Sequence, residues 1–225
     1  TNLLKEKGFI RLKSKINQNE IDKLKIILNS YFSDNKKHFT YASSKYILQP
    51  HKIPEVKNLF TDEIKNLLCL YYKCAFSIEN ITLYRNLPNP NLDEDRDDHQ
   101  SNCFHEDNFL LTGLRVFIYL NDNVNKDTGA FRYHDKNHSK YLLRTFGYFN
   151  RNFQPKWVLS RLKNPKKLNY FVGNAGDCMI VNTQECIHAA SIPKANSYRD
   201  MLQFIINPAK GKLKSKKDIF NNINS

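Results

Sequence analysis

The chain has 225 residues, 40% hydrophobic and 12% aromatic, with 35 Lys and Arg against 22 Asp and Glu and a net charge of +13. That length points to one domain with room for a sizeable core, and the aromatic content excludes a disordered composition. No apolar run approaches the roughly 18–20 residues of a membrane span, no signal-peptide pattern is visible, and five cysteines without framework spacing fit a reducing cytoplasm.

Gly8-Phe9-Ile10-Arg11-Leu12 reads as a short first strand. Asn17-Gln18-Asn19-Glu20 has the form of a capping box. Ile21, Leu24, Ile27, Leu28 and Tyr31 follow at helical spacing and predict a helix to Phe32. Residues 34–52 are polar and read as irregular. A second helical pattern runs from Pro54 to Cys74, with Thr61 as an internal cap able to split it. From Phe76 the pattern changes to strands, the first over Ile78–Leu87. Residues 88–102 form an acidic, proline-containing loop, either a lid or a solvated connection.

Strands are then expected at Cys103–Asp107, Leu114–Leu120, Ala130–His134, Tyr170–Val172, Cys178–Thr183 and Tyr198–Ile206, the last ended by Pro208. Gly129 suits a turn needing positive φ. Residues 136–168 look helical and irregular. Helices first and then about eight short strands favour a mainly β protein with flanking helices, a double-stranded β-helix or jelly roll. One domain over 1–209 and a basic, mobile tail over 210–225 are expected. The excess lysine is spread widely and concentrated in the tail, without a helix-turn-helix, zinc-finger or RNP pattern, so neither a specific nucleic-acid partner nor a membrane is expected. The absence of Gly-x-Ser-x-Gly removes the usual hydrolase signature.

The chemistry-bearing residues are His105 and Asp107, two apart, and His188, which follows Gly176-Asp177 and an apolar strand. On a strand, side chains at i and i+2 leave the same face. Two imidazoles and one carboxylate on one face of a metal, with other positions open, is an arrangement used with non-haem Fe(II). The same alternation places Cys103 and Cys186 in the interior beside the site. A cysteine–histidine nucleophile is the competing use of these pairs, but no orienting third group is evident.

Four pieces in order carry a family resemblance: Phe104-His105-Glu106-Asp107; Leu114-Arg115-Val116-Phe117-Ile118-Tyr119-Leu120-Asn121-Asp122 with Gly129-Ala130-Phe131-Arg132-Tyr133; Gly176-Asp177 with His188; and Arg199, eleven residues beyond His188. Together they resemble the phytanoyl-CoA dioxygenase-like group of Fe(II)- and 2-oxoglutarate-dependent oxygenases. The resemblance implies that His105, Asp107 and His188 bind iron and act in catalysis. It implies that Arg199 holds the distal carboxylate of 2-oxoglutarate, and that O2 is the oxidant. The expected reaction is hydroxylation of a small molecule with release of succinate and CO2, and the positive charge tilts the substrate toward an anion.

Tyr84 and Asn102 are further candidate contacts to 2-oxoglutarate, with packing or turn roles as the alternative. Arg132 and His134 share a strand face and are expected near the mouth of the site, either meeting substrate or at the surface. For Arg199 the alternative is a structural salt bridge to Asp200 or Asp177. Asp135-Lys136-Asn137-His138 departs from the family's usual Pro-Gly-Ser-His and bears on substrate choice. A non-catalytic jelly-roll binding protein or a metal-dependent isomerase is the alternative function. Oligomeric state is not legible in the sequence.

Overall fold

The computed structural model describes residues 2–13, 16–41, 43–89, 102–107, 113–146, 156–210 and 220. In chain order these form α1 (Asn2–Lys7), β1 (Phe9–Leu12), α2 (Gln18–Ser33), β2 (His38–Tyr41), β3 (Ser44–Ile47), α3 (Pro54–Asn58), α4 (Asp62–Tyr72), β4 (Ala75–Asn86) and β5 (Leu114–Tyr119). Then follow β6 (Phe131–Tyr133), α5 (Lys136–Phe146), α6 (Lys156–Leu162), β7 (Asn169–Phe171), β8 (Cys178–Val181), β9 (His188–Ala190) and β10 (Arg199–Ala209). A seven-stranded sheet has the order β1-β8-β5-β10-β4-β3-β2, and a three-stranded sheet the order β7-β6-β9. All pairings are antiparallel. This is the jelly roll with flanking helices that the strand pattern predicts.

Alternation along the strands divides the core in two. Leu114, Val116 and Ile118 of β5, with Leu202, Phe204 and Ile206 of β10, pack against Ile21, Leu24 and Leu28 of α2 and Ile64 and Leu68 of α4. The opposite face turns Phe117, Tyr119 and Met201 toward Phe131 and Tyr133 of the small sheet. Because the side-chain period of a strand is two, one buried helix-side layer dictates what the inner face presents.

The caps explain the helix starts. Asn17 accepts from the Asn19 backbone N–H at 3.0 Å, and Thr61 from that of Ile64 at 3.4 Å. Thr61 does divide the second helical pattern, into α3 and α4. Glu20 does not complete the box; its carboxylate receives Asn58 at 2.6 Å and Lys23 at 3.0 Å.

Three expectations are corrected. Residues 38–47 are a hairpin, β2–β3, added to the sheet edge through β4; edge strands with one solvated side carry little apolar signal. Pro208 does not end β10, which runs to Ala209 paired with β4. Beyond Ile206 no described residue pairs with β10 on the β5 side, so the missing N–H is tolerated there. Finally, the His105 segment is not a strand but makes a single bridge, to His188. Residues 90–101 of the acidic loop and most of the 210–225 tail lie outside the described residues. Within the tail Phe220 is buried, 5.7 Å from the Phe60 ring. Among the described residues no helix is long and apolar enough to cross a membrane.

The N-terminal turn is tied to the segment that carries His188. Gly8 has φ +80°, and a Cβ there would lie 2.5 Å from Cys186 Sγ. The Gly8 carbonyl accepts from the Asn182 N–H at 2.8 Å. Gly8→Ala is expected to destabilise by roughly 1–3 kcal/mol through positive φ and overpacking. In urea denaturation, Cys186→Ala should recover part of that loss; equal costs in both backgrounds would refute the contact.

Candidate metal centre and its cavity

His105, Asp107 and His188 are brought together by backbone pairing. The His105 N–H donates to the His188 carbonyl and the His188 N–H to the His105 carbonyl, both at 2.9 Å, while the Asp107 N–H donates to Thr183 O at 3.0 Å. The ring centroids of His105 and His188 are 4.3 Å apart. His105 Nε2 lies 3.8 Å from Asp107 Oδ1, and His188 Nε2 3.9 Å from Oδ2. One ligand atom from each residue falls within 4.8 Å of the others, and all three residues are buried.

Both imidazoles are oriented in the same way. His105 Nδ1 donates to Cys103 O at 2.7 Å, and His188 Nδ1 donates to Cys186 O at 2.9 Å. A carbonyl can only accept, so the proton sits on Nδ1 and the Nε2 lone pair is the one left available to a ligand in both rings. Outer hydrogen bonds of this kind fix the tautomer of metal-binding histidines.

Asp107 is held by a residue that sequence reading passed over. Arg115 Nε donates to Asp107 Oδ2 at 2.6 Å and to Thr183 Oγ1 at 3.2 Å. Burial would raise the Asp107 carboxyl. The pull of His188 and of the Arg115 guanidinium, with hydrogen bonds from Thr183 and Arg115, instead brings it below the usual carboxylate range. The signal was present: Arg115 is the one charge inside an otherwise apolar strand, and such a charge needs a partner.

A cavity of about 370 Å³ opens at this cluster, and Arg199 lines it from β10. Arg199 is 1% exposed, and its Nη1 donates to Gly129 O. Its Nε is buried without a hydrogen-bond partner among the described residues. Neither acid considered for it is its partner. Asp200 takes a two-pronged pair from Arg85 at 2.7 and 2.8 Å, and Asp177 Oδ2 accepts from the Asn174 N–H at 2.8 Å. A buried guanidinium with no carboxylate facing it among the described residues fits an anionic ligand arriving from outside the chain.

No protein-family model matches the chain, and no curated protein matches it by sequence. Solved structures do match. The non-haem α-ketoglutarate-dependent carbocyclase SnoK of nogalamycin biosynthesis superposes with TM-score 0.64 at 13% identity, over 92% of this chain and 82% of that one. HygX from Streptomyces hygroscopicus, with nickel, 2-oxoglutarate and hygromycin B bound, gives 0.64 at 14%, over 95% and 88%. EctD from S. alaskensis, with 2-oxoglutarate and 5-hydroxyectoine, gives 0.64 at 11%, over 95% and 76%. The fold is that of the non-haem iron, 2-oxoglutarate-dependent enzymes. At these identities the likeness is one of fold.

Within this 2-oxoglutarate-oxygenase fold the other candidates separate. Tyr84 lines the cavity, with the Arg199 guanidinium 5.9 Å from its ring centroid. Burial pushes its phenol up to about 12, against the pull of Arg199. Asn102 is buried but does not line the cavity; its carbonyl accepts from Arg132 Nη2 at 2.7 Å. Cys186 is fully buried, whereas Cys103 is only half-buried, because one bridge does not impose strand alternation. Sequence reading also missed Tyr41, Ser44 and Tyr46, which the hairpin brings to the cavity.

Arg132 and His134 are not at the mouth. Phe131 and Tyr133 take the inner face of β6, so Arg132 and His134 point the other way. Arg132 lies over the Phe104 ring at 4.7 Å, and the fully buried His134 bonds Leu162 O through Nε2 at 3.0 Å. Burial, then the neighbouring His138, lower the His134 imidazole to about 4, although the Leu162 and Lys167 carbonyls oppose the shift. The unfolded group titrates near 6.5. A lowered histidine stabilises the fold fully above the unfolded value, and that stability drains as pH falls through 6.5 toward 4. The full difference is about 3 kcal/mol. Urea midpoints from pH 7 to 4.5 should therefore fall less steeply in His134→Gln than in the parent; parallel curves would exclude this source.

Proposed function

We propose that the chain is an Fe(II)- and 2-oxoglutarate-dependent oxygenase that hydroxylates a small molecule with O2, releasing succinate and CO2. The carrying observation is that the His105–Asp107–His188 cluster and the buried Arg199 guanidinium, whose Nε lacks a described partner, line one cavity. The fold and the phytanoyl-CoA dioxygenase-like sequence pieces support the same reading. So do the solved structures of the same fold that carry iron or nickel and 2-oxoglutarate.

His105 and His188 would hold the metal through Nε2 and Asp107 through a carboxylate oxygen, leaving positions for cosubstrate and oxygen. Bound iron and 2-oxoglutarate would supply the oxidation of a C–H bond. The chain's own residues bind, orient and shield. Arg115 keeps Asp107 ionised and aimed. Arg199 pairs a distal carboxylate with a forked, permanently charged group. Tyr84 packs beside Arg199, and Phe117, Phe131 and Met201 form an apolar wall that limits water at the cluster. Hydroxylation is the outcome we favour. The fold also hosts a carbocyclase and an epimerase among its solved members.

An anaerobic titration with Fe(II) and 2-oxoglutarate tests the reading. A weak, saturable visible charge-transfer band that needs both components is expected. Folded, metal-loaded protein that gives no band with 2-oxoglutarate would rule the reading out.

A further inference from the structure

The charge of the chain is not the charge of its cavity. Among the described residues, Arg115 and Arg199 are the only Lys or Arg that line it, and Asp107 is the sole carboxylate. Arg115 is engaged with Asp107 at 2.6 Å, and Arg199 is taken by the cosubstrate on the oxygenase reading, on which this inference rests. The other polar residues that the large sheet turns into the cavity are uncharged, among them Gln203 of β10 with Thr82 and Asn80 of β4. The register sets Gln203 opposite Thr82 and Ile205 opposite Asn80, with Phe117 of β5 on the other side of Gln203. None of these three polar side chains hydrogen-bonds to a described residue.

Two of the aromatic residues nearby, Tyr46 and Tyr84, have their faces occupied. Tyr46 is stacked between Phe39 and Tyr84, with centroids at 5.1 and 5.3 Å, and Arg199 lies toward Tyr84 at 5.9 Å. A flat ring would find the edges of Tyr46 and Tyr84, not their faces.

We propose that the prime substrate is a neutral, polyhydroxylated small molecule, a sugar ring or cyclic polyol, held beside the metal centre by Gln203, Thr82 and Asn80. Amide and hydroxyl groups each offer a donor and an acceptor, as vicinal hydroxyls do, so the two sets satisfy each other. An apolar ligand would bury the amides unpaired. An anion would meet amide oxygens and no uncommitted cation among the described residues, and a cation would find Asp107 already paired. At about 370 Å³ the cavity is at the small end of ligand sites, which run roughly 300–1,000 Å³. Since it must also admit 2-oxoglutarate, a single ring fits better than a chain of them. The tilt toward an anionic substrate drawn from net charge is thereby replaced.

Saturation-transfer NMR on the full chain loaded with Zn(II) and 2-oxoglutarate tests this, with methyl glucoside and myo-inositol as neutral probes and glucose 6-phosphate as the anionic one. Transfer to a neutral probe, little to the phosphate, and a loss of affinity of about 10-fold or more in Gln203→Leu are expected, with the 2-oxoglutarate signal unchanged. Thr82→Val gives an independent second variant should Gln203→Leu fold poorly. Equal or tighter binding of the phosphate, silence from both neutral probes, or full affinity in both variants overturns the proposal while leaving the oxygenase reading intact. If 2-oxoglutarate itself shows no metal-dependent signal, that reading falls and this one with it.

Discussion

His188→Ala is expected to abolish stable Fe(II) binding and with it the 2-oxoglutarate charge-transfer band. The backbone bonds that join residues 105 and 188 do not involve the side chain, so the bridge that builds the site survives the substitution. What is lost is one of three converging ligand atoms. Losing a mere outer partner of a metal ligand typically costs roughly 10–100-fold in affinity, so loss of a ligand should cost more. Asp107 keeps its Arg115 partner at 2.6 Å and stays ionised, so the effect belongs to the missing ligand and not to a collapsed carboxylate. Calorimetric titration with Fe(II) under argon reads the result. Parent-like affinity in the folded variant would mean that the cluster is not the metal site.

Arg199→Met should separate cosubstrate binding from stability. In the parent the guanidinium is buried at 1% exposure, with Nε unpartnered and no described carboxylate opposite. Removing one partner of a buried charge pair costs about 2–4 kcal/mol, which corresponds to a rise of about 30- to 1,000-fold in the Kd for 2-oxoglutarate. Fe(II) affinity should be unchanged. Without 2-oxoglutarate the variant should melt at or above the parent temperature, because an unpaired buried charge is unfavourable and a similar-sized apolar side chain relieves it. Arg199→Lys should recover only part of the affinity, since an ammonium keeps the charge but lacks the fork. A large fall in the apoprotein melting temperature of Arg199→Met, with 2-oxoglutarate affinity intact, would make Arg199 a structural residue.

Much of this was legible in residue order. The helix starts are written locally, in Asn17 and Thr61, whose side chains cap their own helices. The inner strands are legible because burial on one or both faces imposes an apolar pattern, as in Leu114–Leu120. The His105–Asp107 pair and the distant His188 and Arg199 stand out because few side chain types can bind a metal or a carboxylate. The β2–β3 hairpin was not legible, since an edge ribbon keeps one side in water and can carry polar residues at little cost. Pro208 misled for a similar reason: its effect depends on whether a neighbour needs its N–H.

By itself, then, the sequence determined the two-layer β architecture and the types of group available for chemistry. Both follow from short-range rules, the period of two along a strand and the fixed donor set of each side chain. Only the tertiary structure decided which groups meet. It pairs Arg115 with Asp107 and Arg85 with Asp200, leaving Arg199 without an acid among the described residues. It turns Arg132 and His134 away from the cavity and sets Gln203 beside Thr82. Contacts between residues far apart in the chain depend on sheet order and register, and those are set by the packing of the whole chain.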